Sequence, residues 1–442
     1  MNNIISYKNK TVGILGVGMS GLAAAKVLIN SNANVFAFDD LKEKPPTLPK
    51  SNWINYQKWP WLELYALVVS PGIPINKNIK HKAIQLALDH NVKIINDIDL
   101  FVETKPKAKI VGITGTNGKS TTVALLHHIL KLSKIKSVIG GNFGLPACEI
   151  IDPGDNGVII LELSSYQLDG ASSLILNLAS IINITPDHLD YHDNFETYIS
   201  CKLKILNFLI DNGVLVLNKN NEFLDRLINK EKYQRINILK TQTMNYKDFI
   251  NDNGSLDGTH NQVNTSIAIA LAKNLNINDK KIKLSIKSFI GLPHRMEILY
   301  TSKKIKIIND SKSTNGESTA AALSSFCNVF WILGGQPKID GIGRAKDYLD
   351  RVVESFIIGE SYDFFATQIS KYTKKIRLNK CATLKNATEL AIKKAQISNL
   401  KKIVILLSPS AASFDQFKNF EERGNKFKEI IDNQLIEGVL IC

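Results

Sequence analysis

The sequence lacks the marks of a disulfide-stabilised or zinc-binding protein. Its five cysteines form no Cys-x-x-Cys pair and show no paired spacing. This usage is typical of reduced thiols, not of a disulfide framework or a zinc site. Residues 1–10 are polar and show no signal-peptide pattern. We therefore expect a cytoplasmic protein.

Long hydrophobic runs are also missing. The longest apolar stretch, Val12–Ile29, is interrupted by four glycines and by Lys26. A membrane-spanning helix needs about 20 predominantly apolar residues in a row. The pattern therefore favours a strand, a turn and a helix, and we expect no membrane partner.

The positive charge of the chain is not concentrated anywhere. The formal net charge is +14 at pH 7, but the lysines are spread among asparagines and isoleucines. No Lys/Arg run is interleaved with aromatic residues, as a nucleic-acid-binding surface would require. We expect no nucleic-acid partner, while a basic balance suits small polyanions such as nucleotides.

The length of 442 residues exceeds what one hydrophobic core organises, so two or three domains are expected. The polar connector 105–109 and the turn Gly291–Arg295 separate regions 1–104, 105–295 and 296–442. In each region, short apolar runs alternate with helical patterns, which indicates buried parallel sheets. We predict an α/β fold of three domains: a Rossmann-like N-terminal domain, a central P-loop ATPase-like parallel sheet domain, and a Rossmann-like C-terminal domain.

The central region opens with the most informative stretch of the chain. A β-branched strand leads into Thr114-Gly-Thr-Asn-Gly-Lys-Ser-Thr121, and an apolar helical segment, 123–132, follows. Glycines let backbone N–H groups converge on phosphate oxygens, and the helix N-terminus adds partial positive charge. Lys119 can reach the β- and γ-phosphates, and the Ser120 hydroxyl is placed for Mg²⁺. The spacing departs from the usual phosphate loop because Ile113 stands where the first glycine is expected.

A second glycine-rich turn lies in the first region. Gly16-Val-Gly-Met-Ser-Gly21 follows a strand and precedes a helix, and Asp39 comes about twenty residues later, as in dinucleotide-binding folds. The glycines do not distinguish NAD from another nucleotide diphosphate, and a purely structural turn stays possible. The loop Ser70–Pro74 follows a strand, at the end where open α/β sheets bind ligands.

Two polar groups lie at strand ends of the central region. Glu162 is embedded in the apolar run 158–163, where an unpaired carboxylate would be costly. His188 follows the strand 179–184. Both positions suit Mg²⁺ ligands, and for both a structural role stays open.

A lysine interrupts an apolar helical face between residues 194 and 210. Lys202 lies on that face, seven residues after Phe195, whereas Lys204 lies off it. Lys202 either extends past the aliphatic side chains to solvent or directs its amine inward for a chemical purpose. The pattern alone does not decide between the two.

Taken together, these motifs resemble the Mur ligases, the ATP-dependent amide-forming enzymes of peptidoglycan synthesis. The resemblance covers essentially the whole chain. The phosphate loop has the spacing found in Mur ligases and folylpolyglutamate synthases. The other matching motifs are Leu161-Glu-Leu-Ser-Ser165, Thr185-Pro-Asp-His-Leu-Asp190, Asn264 after His260, and Pro293-His-Arg295.

Three segments resemble those of the family members that add D-glutamate. They are Gly291–Arg295, Asn309–Asn315 and Ser408–Phe417; the Asn-Pro-Arg motif of the diaminopimelate- or lysine-adding members does not occur. The resemblance implies UDP-N-acetylmuramoyl-L-alanine, D-glutamate and ATP as substrates of a monomeric enzyme. A sister ligase or a folylpolyglutamate-synthase-like ligase with another amino acid is the alternative. A nicotinamide-dependent dehydrogenase would leave the phosphate loop, Glu162 and the third region without a role.

The resemblance also implies roles for individual residues, with Lys119, Glu162, His188 and Lys202 as the catalytic set. ATP would contact Gly115, Thr116, Asn117, Gly118, Lys119, Ser120, Thr121, Asn264 (adenine), Arg295 (phosphate) and Asp310 (ribose). One Mg²⁺ would bind Ser120 and Glu162, and a second His188 and Lys202, the latter as a carbamate. The UDP substrate would contact Met19, Ser20, Asp39, Ser70, Gly72 and Asn142. D-Glutamate would contact Lys312, Thr314, Lys338, Ser413 and Phe414.

Overall fold

The computed structural model describes residues 3–41, 43–77, 79–219, 221–228, 233–242, 256, 258–338 and 341–440. The chain divides into two compact units. The first comprises Met1–Met244 and Val263–Ile286, and the second Asn245–Gln262 and Lys287–Cys442. None of the helices that the structure describes has the length and apolarity needed to cross a membrane.

The first unit contains a four-stranded parallel sheet built from the N-terminal part of the chain. Its strands are β1 (Thr11–Leu15), β2 (Asn34–Phe38), β3 (Leu64–Val69) and β4 (Lys93–Ile95), in the order β2-β1-β3-β4. The helices of this part are α1 (Met19–Asn30), α2 (Lys82–Asp89) and α3 (Asp97–Glu103). The sheet is buried because aliphatic side chains occupy both of its faces.

The first unit also contains a six-stranded parallel sheet. Its strands are β5 (Lys109–Thr114), β6 (Ser137–Gly141), β7 (Val158–Glu162), β8 (Leu176–Ile181), β9 (Leu209–Asn218) and β10 (Asn237–Thr241). The order is β10-β9-β8-β5-β7-β6, which places the phosphate-loop strand β5 in the interior. The helices along this stretch are α4 (Lys119–Leu132), α5 (Ser165–Gly170), α6 (Leu189–His192), α7 (Phe195–Leu203), α8 (Glu222–Leu227), α9 (Thr259–Asn274) and α10 (Asp279–Ser288).

The second unit is built on another six-stranded sheet. Its strands are β11 (Glu297–Thr301), β12 (Ile305–Asn309), β13 (Val329–Gly334), β15 (Val352–Ile358), β16 (Arg377–Ala382) and β17 (Ile403–Leu407), and the short β14 (Gln336–Pro337) pairs with β18 (Ala411–Ala412). The order is β11-β12-β17-β13-β15-β16, and only β11 runs antiparallel to its neighbour among these six. Its helices are α11 (Gly316–Leu323), α12 (Tyr362–Tyr372), α13 (Leu384–Ile397) and α14 (Phe420–Ile436).

These three sheets confirm the predicted α/β fold class. The domain boundaries after residues 104 and 295 stay predictions. The predicted helix over 194–210 is wrong in its second half, because α7 ends at Leu203, a 3-10 helix spans Lys204–Phe208, and β9 begins at Leu209. Ile205, Leu206 and Leu209 of that half are nevertheless buried, whereas Ile210 is exposed.

The two sheets of the first unit are joined where α3 begins. Asn96 caps α3 and donates its side-chain amide to the carbonyl of Gln167 at 2.8 Å. The buried Asp99 carboxylate accepts the backbone N–H and the hydroxyl of both Ser172 and Ser173, at 2.8–3.0 Å. The first turn of α3 therefore fixes the segment that carries α5.

Replacing Asp99 should loosen this joint. We expect Asp99→Ala to lower the free energy of unfolding by ~1–3 kcal/mol, since a buried charged acceptor with several donors is lost. The matched control is Glu103→Ala on the same helix, which removes one exposed hydrogen bond with Ser6 and should cost less than ~0.5 kcal/mol. Thermal unfolding midpoints of the two variants measure the difference, and equal midpoints would contradict this account.

Candidate active site

The phosphate loop connects β5 to α4 in the interior of the central sheet. Gly118 is the N-terminal cap of α4 and has a left-handed backbone, with φ at 87°. A Cβ atom at this position would lie 2.2 Å from Oδ1 of Asn264, so only glycine lets the loop approach α9 this closely. The structure thus brings Asn264 against the loop, and its contact with a nucleotide stays a prediction.

Asn183 holds the loop in shape from the neighbouring strand end. Its side-chain oxygen accepts the N–H groups of Thr116 at 3.1 Å and of Asn117 at 2.9 Å. The Thr116 hydroxyl bonds Tyr198 at 2.8 Å and the carbonyl of Thr185 at 3.1 Å. Sequence reasoning missed Asn183 and Tyr198, because neither belongs to a recognisable nucleotide motif.

Lys119 lies over the loop that it follows. Its ammonium donates to the carbonyls of Gly115 at 2.7 Å and Thr116 at 2.9 Å. Its positive charge is thereby held against the glycine turn. This position suits a phosphate-binding cation.

The Glu162 carboxylate connects the phosphate loop to the neighbouring strand. Oε2 accepts the Ser120 hydroxyl at 2.5 Å, and Oε1 accepts the Asn142 amide at 2.6 Å. Glu162 and Ser120 are each 2% exposed. A hydroxyl and a carboxylate are the hard oxygen donors that Mg²⁺ prefers. Within the described ranges, no three His, Cys, Asp or Glu side chains cluster as a metal site.

Lys202 is buried and directed inward. It is 1% exposed, and its amine donates to the carbonyl of Gly115 at 2.9 Å and lies 4.7 Å from the centre of the Tyr198 ring. Burial first, and then the charge of Lys119, lower the pKa of Lys202 well below its ordinary value. The structure therefore excludes the alternative in which this side chain extends to solvent. A neutral amine is also a competent nucleophile.

His188 begins the short helix α6 with a left-handed backbone, with φ at 55°. Its Nδ1 is hydrogen-bonded to the hydroxyl of Tyr166 at 2.7 Å. The Tyr166 ring stacks on Tyr191 with centroids 4.0 Å apart. The tyrosine pair thus orients the imidazole, as partners of ligating histidines commonly do.

A cavity of about 730 Å³ lies at the carboxyl ends of the first sheet. All six residues predicted to contact the UDP substrate line it, namely Met19, Ser20, Asp39, Ser70, Gly72 and Asn142. Asp39 also braces the glycine turn, because its carboxylate accepts the N–H groups of Val17 and Leu41 at 2.8 and 2.9 Å. His81 and Asp40 also line the cavity and are paired at 2.8 Å; sequence reasoning missed this pairing because the two residues lie far apart in the chain.

In the second unit, Asp310 is a buried acceptor. Its carboxylate accepts the hydroxyls of Ser313 at 2.5 Å and Ser408 at 3.0 Å, and the N–H of Met296 at 3.2 Å. Burial raises its pKa to about 6. These bonds hold the loop after β12 against the loop after β17. The Lys312 amine lies 3.9 Å from the centre of the Phe420 ring.

Arg423 is a further residue that the sequence did not point to. It is 1% exposed, and its guanidinium donates to the Ser311 hydroxyl at 3.0 Å, the Ser311 carbonyl at 2.8 Å and the Ala411 carbonyl at 3.2 Å. Burial lowers its pKa to about 10. Arg423 thereby fixes two of the segments that carry residues expected to bind D-glutamate, one with Lys312 and Thr314 and the other with Ser413 and Phe414. Of those residues, Ser413 is buried and Phe414 is 69% exposed.

A family model and solved structures of other proteins match the α/β architecture described above. The Mur ligase middle domain model matches residues 113–287. The MurF ligase from Thermotoga maritima in complex with ADP superposes with a TM-score of 0.58 at 14% identity, covering 98% of both chains. MurC from the same organism gives 0.56 at 15% identity, covering 96% of this chain and 99% of the other. The chain therefore has the fold of the Mur ligases.

Proteins of similar sequence identify one group within the Mur ligases. UDP-N-acetylmuramoylalanine--D-glutamate ligase from Wolbachia sp. subsp. Brugia malayi is 34% identical, covering 95% of this chain and 96% of the relative. The proteins of the same name from Zymomonas mobilis and Rickettsia bellii are 35% identical, covering 96% and 95% of this chain and 98% and 97% of their own. The chain belongs to the family of UDP-N-acetylmuramoylalanine--D-glutamate ligases.

Gly118→Ala tests the close approach of the phosphate loop to α9. The control is Gly154→Ala, because Gly154 has a nearly identical φ of 90° with open space around it. Both substitutions carry the left-handed strain of ~1–2 kcal/mol, but only the first collides with Asn264. Gly118→Ala should therefore lower the unfolding temperature more than Gly154→Ala. Equal losses would show that the contact with Asn264 is not constrained.

Proposed function

We propose that this protein is an ATP-dependent ligase that joins D-glutamate to UDP-N-acetylmuramoyl-L-alanine in peptidoglycan synthesis. One observation carries the proposal. Asn142 lines the cavity of the first sheet and donates to Glu162, whose other oxygen accepts Ser120 of the phosphate loop. A nucleotide-linked acid bound in the cavity would therefore lie close to the Glu162 carboxylate. A triphosphate bound on the phosphate loop would lie close to the same carboxylate.

The three predicted regions divide the work in this proposal. Residues 1–104 bind the UDP substrate through Met19, Ser20, Asp39, Ser70 and Gly72, assisted by Asn142. Residues 105–295 bind ATP, and residues 296–442 bind D-glutamate through Lys312, Thr314, Lys338, Ser413 and Phe414. In this proposal the enzyme works as a monomer in the cytoplasm, where ATP is available.

The phosphate loop residues 115–121 would hold the β- and γ-phosphates, with Lys119 and Arg295 neutralising charge. Asn264 would contact adenine, and Asp310 ribose. Ser120 and Glu162 would hold one Mg²⁺, and His188 with carbamylated Lys202 the other. Two such ions supply neutralisation of the charge on the transferring phosphoryl group.

The chemistry activates a carboxylate, which is a poor acyl donor. The L-alanyl carboxylate oxygen attacks the γ-phosphorus of ATP; the bond to the β-phosphate oxygen breaks, giving an acyl phosphate and ADP. The neutral amine of D-glutamate then attacks the carbonyl carbon, and phosphate leaves with the C–O bond electrons as the amine loses a proton. Preorganised cations such as Lys119 stabilise the charge that develops.

The surroundings of Lys202 support its carbamylation. Its lowered pKa favours the neutral amine, which can attack CO₂ and release one proton. The product is an anion with two oxygen donors. Such an anion would be attracted by the Lys119 ammonium that disfavours a charged Lys202. The carbamate would therefore give this buried site, which otherwise carries the positive charge of Lys119, the anionic oxygen atoms that bind a metal ion.

Phosphate release from ATP in the presence of UDP-N-acetylmuramoyl-L-alanine tests the function. We expect turnover with D-glutamate and none above background with L-glutamate, meso-diaminopimelate or glycine. Turnover with one of these three and not with D-glutamate would assign the chain to a sister activity and refute the proposal.

Lys202→Ala tests the carbamate. We expect activity to be lost, with partial rescue by a short carboxylic acid that restores an anionic oxygen ligand. The control is Lys131→Ala, which removes an exposed lysine of α4 and should keep wild-type activity. Full activity of Lys202→Ala would make the buried amine a structural group only.

A further inference from the structure

Asp169 lies at the end of α5 and connects three segments of the first unit. Its side chain is 5% exposed. Oδ1 accepts the Asn76 amide at 2.7 Å and the Cys201 thiol at 3.3 Å. The Lys204 amine donates to the Asp169 carbonyl at 2.7 Å and lies 3.4 Å from Oδ1.

Two of these partners flank Lys202. Cys201 and Lys204 are three residues apart, so they lie on one side of the helix that carries Lys202. Lys202 projects from another side, where its amine meets the carbonyl of Gly115. Because α7 has only nine residues and ends in a 3-10 turn, the Asp169 contacts set its rotation and therefore the direction of Lys202.

The third partner belongs to the loop after β3. Ser70, Gly72 and Ile73 of this loop line the cavity, and Asn76 follows them. The next residue, Lys77, donates to the carbonyl of Asp190 in α6 at 2.9 Å and lies 3.7 Å from the Asp193 carboxylate. One short segment of the cavity loop is thus linked to both helices. Asn76 is linked to α7, which holds Lys202, by way of Asp169, and Lys77 contacts α6, which His188 begins.

We infer that Asp169 is a positioning residue that directs the Lys202 side chain towards the phosphate loop. Through Asn76, Asp169 also couples the orientation of Lys202 to occupancy of the cavity by the UDP substrate. The inference rests on the proposed function, because it assigns the cavity to that substrate. A surface ion pair would not act in this way, since it contributes little and links no catalytic group. A misplacement of about 1 Å at a catalytic group can cost ~100-fold in rate.

Lys204 provides the first test. Lys204→Met removes the cation that holds the end of α7, and we expect kcat to fall by ~10–100-fold, as for other residues that orient ligands, with KM for ATP little changed. Lys204→Arg keeps a donor for Asp169 and should recover most of the rate. The control is Lys240→Met, which breaks the 2.6 Å ion pair with Asp225 on the edge strand β10 and should match wild type.

Asn76→Ala tests the coupling by amide hydrogen exchange of residues 195–203. In wild type, saturation with UDP-N-acetylmuramoyl-L-alanine should slow exchange in this segment. In Asn76→Ala the substrate should still bind, measured by calorimetry, but should no longer slow that exchange. This readout does not depend on turnover, and it also decides the coupling if Lys204→Met does not fold.

The outcomes separate the two proposals. A wild-type protein that binds no UDP substrate and shows no D-glutamate turnover would overturn the proposed function and this inference with it. An active wild type with unchanged kcat in Lys204→Met, or with substrate protection of 195–203 intact in Asn76→Ala, would overturn the positioning role of Asp169 alone.

Discussion

The rest of the site depends on the two hydrogen bonds that the Glu162 carboxylate accepts. Glu162 ends a strand that is buried on both faces, where a charge without partners would be costly. Ser120 and Asn142 offset that cost from opposite sides, one from the phosphate loop and one from the cavity. Because the carboxylate binds both, the loop and the cavity share a fixed geometry.

Lys202 is subject to the same cost of burying a charge. Its amine has a backbone carbonyl and an aromatic ring as partners but no carboxylate within ion-pair distance among the described residues, so burial favours its neutral form. Asp169 contacts Cys201 and Lys204, which flank Lys202 in the chain. In the proposed chemistry, this neutral amine is the group that takes up CO₂.

The sequence predicted the interior strands and the edge strands β2 and β4. The other four edge strands, β6, β10, β11 and β16, escaped prediction. An edge strand in these sheets carries polar and exposed residues, as in β10 and β16, so it lacks the continuous apolar run that identifies a buried parallel strand. Helix α7 was extended too far for a related reason, since burial persists through its 3-10 end into β9.

By itself the sequence determined the α/β class, the two glycine turns and the chemical types at the strand ends, because these depend on local spacing. Only the tertiary structure decided that Lys202 points inward, that Asp39 braces its own glycine turn, and that Asn142 and Ser120 share Glu162. It also supplied Asn183, Asp169 and Arg423, which belong to no motif. Such roles arise from contacts between residues up to 112 positions apart. The residue spacing within a single segment therefore cannot predict them.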